Sequence, residues 1–168
     1  DMDDTMNTLT IFMEYVSGGS VSALLHKFGN FNERVIRLYT DQILSGLDYL
    51  HSHRIMHRDI KGANILVDHA GICKLADFGA ARLLKNITKG PALFGTPAFL
   101  APEVITNERC DIEADIWSLG CTIIQCYQEK HPGQFVDLKV FTNCYTMYLP
   151  AMILHHLIMS PKEKLLRI

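Results

Sequence analysis

The chain has 168 residues, 48% hydrophobic and 20% charged, with a formal charge of -2 at pH 7. That length supports one core, burying roughly 70% of the surface an unfolded chain exposes, and the balance excludes both a disordered tail and a polybasic nucleic-acid binder. The five cysteines, Cys73, Cys110, Cys121, Cys126 and Cys144, are odd in number, scattered and without a CxxC pair, which fits a reduced, cytoplasmic setting and argues against structural zinc.

No basic region followed by an apolar one marks the first residues as a secretory signal, and a start at Asp1 leads us to expect a fragment of a longer protein. "TLTIFMEY", residues 8 to 15, is β-rich and partly alternating, predicting a strand that ends at the flexible "VSGGS", a linker or hinge. Ser20 then caps "VSALLHKF" and Gly29 stops it, predicting a short helix. Val35, Tyr39, Ile43, Leu47 and Leu50 write one apolar stripe along a long helix from about Asn32 to His51. Next, "NILVD" and "GICKLAD", separated by His69, Ala70 and Gly71, read as a small β-hairpin. From Phe78 to Ile105 repeated glycines and prolines leave no helical stripe, predicting a long ordered or switchable loop. "EADIWSLGCTIIQCY" returns to an apolar helix from about Glu113 to Tyr127. The apolar run from Val140 to Met159 is broken by Thr142, Asn143, Thr146, Pro150, His155 and His156, short of the ~18 uninterrupted residues a membrane span needs.

Residues 57 to 82, "HRDIKGANILVDHAGICKLADFGAAR", concentrate the chemistry. Phosphoryl transfer needs an aligned hydroxyl, metal ions bridging phosphates, and positive charge against the developing negative charge. Asp59 can accept a hydroxyl proton, Lys61 can neutralise a transferred phosphate, and Asn64 and Asp77 offer hard oxygen ligands suited to magnesium. An Asp- and Asn-rich hairpin is more often simply turn chemistry, and residue types alone leave both readings open.

"HRDIKGAN" resembles the H-R-D-x-K-x-x-N catalytic loop of protein kinases, with "DFG" following and "APE" at residues 101 to 103 closing an activation segment. "FMEYVSGGS", "GTPAFLAPE" and "DIWSLGC" extend the resemblance from about Leu9 to Cys126. It implies an α+β, protein-kinase-like fold, mainly the helical large lobe with a small β-hairpin. Residues 1–126 would be a partial kinase domain, and 127–168 a divergent segment packed on the same lobe. It further implies ATP and Mg2+ as cofactors. Asp59 would be catalytic base, Lys61 would contact the γ-phosphate, and Asn64 and Asp77 would hold magnesium. Met13 would be gatekeeper, Glu14 and Val16 would offer backbone groups to adenine, and Leu66 would pack beneath it. His57 and Phe78 would stack in an internal spine. Lys61 and Thr96 favour the serine/threonine class. Within it the motifs look most like MEKK-like MAP kinase kinase kinases, which implies a MAP kinase kinase as substrate and a scaffold or upstream activator as further partners.

Arg58, beside the catalytic base, is suited to pair with an activation-loop phosphate. Apart from Thr96, Thr88 is the only hydroxyl-bearing residue between Ala80 and Leu100, and so is the expected phosphosite, an unmodified surface threonine being the alternative.

Departures from the family pattern at both ends of the chain qualify these expectations. No glycine-rich loop is present, no lysine precedes Lys27, and only Arg167 follows residue 110 as a partner for Glu103. Met147, Met152, Leu154, Leu157 and Met159 suggest a surrogate apolar helix over the core or, alternatively, a partner-binding groove. The expectation is therefore an active parent kinase with this chain alone inactive, set against a catalytically inactive docking module.

Overall fold

The computed structural model describes residues 2–3, 8–9, 11–84, 95–106 and 111–128. Strands β1 (Met2–Asp3) and β2 (Thr8–Leu9) form an antiparallel pair. Helices α1 (Val21–Phe28) and α2 (Glu33–Ser52) follow, then β3 (Ile55–Met56), β4 (Ile65–Val67), β5 (Cys73–Leu75), β6 (Arg82–Leu83), a short α3 (Pro102–Ile105) and α4 (Glu113–Gln128). The strands make separate two-stranded antiparallel pairs, β3 with β6 and β4 with β5.

Both early helices start and stop where local chemistry dictates. The Ser20 hydroxyl accepts from the Ala23 N–H at 3.2 Å, and Gly29 ends α1 at φ 77 with its N–H on the Leu25 carbonyl. Asn32 Oδ1 accepts from the Val35 N–H at 3.0 Å, and Glu33 places negative charge at the positive end of α2. The face α2 buries runs through Ile36, Thr40, Ile43, Leu47 and Leu50, whereas Val35 and Tyr39 are only half-buried. The stripe predicted from spacings of four is therefore displaced at its N-terminal end. Each step of four residues overshoots a full turn by about 40°, so three such steps carry a row well off the face centred on Leu47. Tyr39 instead packs at the rim, edge-on against Phe31.

Val21, Leu25, Ile36, Ile43, Leu47, Leu50, Ile60, Ile65, Val67, Leu119, Ile123 and Cys126 form the main core, between α1, α2, α4 and the β4–β5 hairpin. A smaller cluster of Met56, Ala101 and Ala114 seats the chain around α3 against the start of α4. Cys73, Cys121 and Cys126 are free thiols, burial pushing them up to about 12, 11 and 12. No helix among the described residues is long and apolar enough to cross a membrane.

The hairpin stands where the sequence predicts it, with Ile65 opposite Leu75, Leu66 opposite Lys74 and Val67 opposite Cys73. Asp68 Oδ1 closes the turn by accepting from the N–H groups of Ala70 and Ile72. The strand predicted over residues 8 to 15 is shorter. Only Thr8–Leu9 is paired, because a strand persists only where a neighbour takes up its backbone groups, and residues 11 to 16 have no ladder partner among the described residues. Nor is "VSGGS" loose: the Val67 N–H donates to the Gly19 carbonyl at 2.8 Å, and Ser20 bridges to Leu66. A Cβ on Gly18 would lie 2.2 Å from the Val67 carbonyl oxygen, so this glycine serves close approach of two backbones. The region from Phe78 to Ile105 contains 3-10 turns at Phe78–Ala80 and Pro97–Phe99 besides β6 and α3. Elements of two to four residues are too short to write a period into sequence.

Candidate active site

The connection from β3 to β4, residues 57 to 64, is a loop held from behind by one buried carboxylate. Asp115, on α4 and 0% exposed, accepts from the His57 N–H at 2.9 Å and the Arg58 N–H at 2.8 Å. Arg58 stands at φ 70, a left-handed conformation that costs roughly 1–2 kcal/mol for a residue with a Cβ, and the Asp115 bond to its N–H offsets that strain. The His57 ring is buried. Its Nε2 donates to the Ala76 carbonyl at 3.1 Å, its Nδ1 accepts weakly from the Asp59 N–H, and its face lies 4.9 Å from the Phe78 ring. Both nitrogens are thus matched to a neutral ring. Burial accordingly holds the His57 pKa below its usual value, against the opposing charge of Asp115 and the Ala76 carbonyl.

Asp59 is the hub of the site. Its Oδ2 accepts from Lys61 Nζ at 2.7 Å and Asn64 Nδ2 at 2.8 Å, and its Oδ1 from the Thr96 hydroxyl at 3.0 Å. Lys61 Nζ also donates to Thr96 Oγ1 at 2.7 Å, closing a ring of charge-assisted bonds. Burial alone would raise the Asp59 pKa. The Lys61 and Thr96 hydrogen bonds, the Lys61 charge and the Asn64 amide outweigh it and hold the carboxyl below its ordinary value. Thr96 reaches the hub because Gly95 precedes it at φ 113, where a Cβ would lie 2.8 Å from the Arg58 carbonyl oxygen.

Asn64 closes the 3-10 turn before β4, and Asp77 follows β5 in left-handed backbone, its Oδ1 accepting from the Gly79 N–H. The Ala76 N–H donates to the Asn64 carbonyl at 2.9 Å, so the foot of the hairpin brings the two residues together. With Asn64 Nδ2 committed to Asp59, its Oδ1 and the exposed Asp77 carboxylate present a pair of hard oxygen donors. Among the described residues no group of three or more His, Cys, Asp or Glu side chains forms a metal cage. Magnesium does not require one: it commonly takes one or two protein ligands and completes its shell with phosphate and water.

The four residues assigned to adenine take no part in the Asp59 hydrogen-bond network. Leu66 and Val16 are half-buried, Met13 is 85% exposed, and Glu14 pairs with Lys74 of β5 through its side chain. Met13, expected as gatekeeper, and Phe78, expected in an internal spine, are thus open to solvent in this chain, although the Phe78 ring still lies against His57. Arg58 is half-buried. Thr88, the segment 129–168, Cys110 and Cys144 lie outside the described residues.

The protein kinase domain profile matches residues 1–161. The chain belongs to the protein kinase domain family. Among its relatives, "Mitogen-activated protein kinase kinase kinase 2" of Arabidopsis thaliana is 56% identical over 128 residues, covering 74% of this chain and 20% of that protein. "Mitogen-activated protein kinase kinase kinase 3" of Homo sapiens is 47% identical over 163 residues, 92% of this chain and 26% of that protein. "Mitogen-activated protein kinase kinase kinase A" of Dictyostelium discoideum is 50% identical over 125 residues, 74% and 13%. The chain thus spans about a quarter or less of the length of these three relatives. In this kinase domain, sequence reasoning missed Asp115 and Gly95 as parts of the site. An acidic residue among the apolar positions of "EADIWSLG" was the available signal for the first. For Gly95, which stands beside Thr96, nothing local distinguishes a close-approach glycine from a loop glycine.

Proposed function

We propose that the protein carrying this domain transfers the γ-phosphoryl group of ATP to a serine or threonine hydroxyl of a protein substrate, a MAP kinase kinase. The observation that carries the reading is Asp59, an ionised carboxylate held by three side-chain donors and already accepting a hydrogen bond from an aliphatic hydroxyl, that of Thr96. A substrate hydroxyl donating to the same carboxylate is aligned for attack. As its oxygen bonds to phosphorus, the bond from phosphorus to the β-phosphate oxygen breaks and the hydroxyl proton passes to Asp59. Lys61, 2.7 Å from Asp59, places positive charge beside the transferring group.

Asn64 Oδ1 and the Asp77 carboxylate would hold magnesium, which supplies charge neutralisation of the phosphates when bound. Leu66 and the backbone of Glu14 and Val16 would receive adenine, with Met13 as the gatekeeper beside it. Arg58 would pair with a phosphate on Thr88. The MAP kinase kinase assignment draws on the relatives' names, and a cytoplasmic setting is part of the same proposal.

The test is phosphate transfer to a MAP kinase kinase by the longest protein containing this chain, with and without Asp59→Asn. The substitution leaves Lys61 and Asn64 in place but removes the proton acceptor, so kcat falls on the order of 10²- to 10⁴-fold with little change in KM for ATP. An unchanged rate rejects the assignment.

A further inference from the structure

Residues 11 to 16, which include Met13, Glu14 and Val16, are fastened to the rest of the described chain by a single polar contact: Lys74 Nζ, on β5, donates to Glu14 Oε1. The chain that follows is held differently, by its backbone. The Gly19 carbonyl accepts from the Val67 N–H and Ser20 bridges to Leu66, so pairing with β4 ends at Gly19 and does not extend back to Val16.

The place of Lys74 on the hairpin gives that fastening a use. Lys74 stands opposite Leu66 in the β4–β5 register, and directly opposed residues of an antiparallel pair project from the same face. Ile65 and Val67 are buried in the main core, and successive side chains of a strand alternate, so Leu66 and Lys74 share the other face. One face of the hairpin thus carries the side chain assigned beneath adenine and, alongside it, the ammonium that grips the segment assigned to adenine's edge. A lysine suits this task, because its stem can run along apolar surface while its charge reaches beyond it. The Lys74 and Glu14 side chains are 38% and 67% exposed, so solvent screens the pair and its contribution is local rather than to global stability.

We propose that Lys74 is a positioning residue for the nucleotide. Acting through Glu14, it sets the separation between the backbone of residues 14 to 16 and Leu66, and so the width of the cleft that admits adenine. A flat heterocycle must meet Leu66 with its face and the Glu14 and Val16 backbone with its edge, and both contacts form together only at a fixed spacing. The proposal deepens the kinase reading and rests on its adenine assignment, but the fastening it asserts is measurable without nucleotide.

Steady-state kinetics on the longest protein containing this chain test the nucleotide role. Lys74→Met keeps the stem and removes the charge, so KM for ATP rises roughly two- to fivefold, the range of a partly exposed ion pair, while kcat is unaltered. Glu14→Gln has the same effect, and the two substitutions together raise KM no further than either alone, because both remove one interaction. An unchanged KM, effects that add in the double variant, or a fall in kcat at constant KM overturns the proposal. On the 168-residue chain without nucleotide, Lys74→Met lowers the 15N order parameters of Glu14, Tyr15 and Val16 and leaves those of Gly19 and Val67 as they were. Equal order parameters in the two proteins overturn it as well. Failure of the wild-type protein to use ATP refutes the kinase reading and the nucleotide role with it, whereas the relaxation result still decides whether Lys74 fastens the segment.

Discussion

Burial acts on His57 and Asp59 in opposite senses, since it lowers the pKa of a histidine and raises that of a carboxyl, yet both end below their ordinary values. For His57 burial wins. The folded state keeps the ring neutral where the unfolded chain takes up a proton, so its contribution to stability is complete above the ordinary value of 6.5 and is lost as pH falls through the lower folded value. For Asp59 the donors win. Its contribution is complete above the ordinary 3.8 and is lost further into acid. The thermal midpoint should therefore decline in two stages on acidification, the first beginning below pH 6.5. His57→Phe, which keeps the backbone N–H bonded to Asp115 and the ring against Phe78, should flatten the first stage and leave the second. A pH series of calorimetric midpoints that is parallel in the two proteins would refute this. Asp59, Lys61, Asn64 and Asp77 were legible because one contiguous segment carries them. Asp115 was not, because its partners lie 57 and 58 residues away and only the fold brings them together.

At the scale of elements, legibility followed length and capping. The boundaries of α1 and α2 were readable because Ser20, Gly29 and Asn32 perform their capping within three or four residues of chain, and the hairpin because Asp68 and Gly71 do the same for its turn. β3, β6 and α3 were not, since each is defined by what it pairs with or packs on. This distinction has a measurable consequence at the start of the longest helix. Asn32→Ala removes the acceptor for the Val35 N–H, and should lower the free energy of unfolding by about 1 kcal/mol. Asn32→Asp keeps the acceptor, adds charge favourable at a helix N-terminus, and should match or exceed the wild type. Denaturant titration reads both: a shifted midpoint at constant slope supports the capping account, and an unaltered midpoint in Asn32→Ala excludes it.

For the whole molecule, the core on the α2–α4 side is closed, but the face leading into the hinge is not. Ile11, Phe12, Met13 and Tyr15 are 69%, 84%, 85% and 87% exposed, all within five residues of chain, while the segment just beyond them is fastened to the hairpin. Phe12 and Tyr15 alone offer on the order of 300 Å² of aromatic surface to water. That is already the size of the largest apolar patch on a typical monomer, before Ile11 and Met13 are added. Because these side chains contribute little to the core in this chain, exchanging them for polar ones should cost little stability. It should, however, remove the most exposed aromatic surface among the described residues through which chains can associate. The double variant Phe12→Ser, Tyr15→Ser is therefore expected to keep the thermal midpoint within a few degrees while light scattering at rising concentration shows less self-association than the wild type. Equal scattering from the two proteins would place the sticky surface elsewhere. A large fall in the midpoint would show instead that these side chains are integral to the fold, and that the open face is part of the structure the chain needs in order to stand alone.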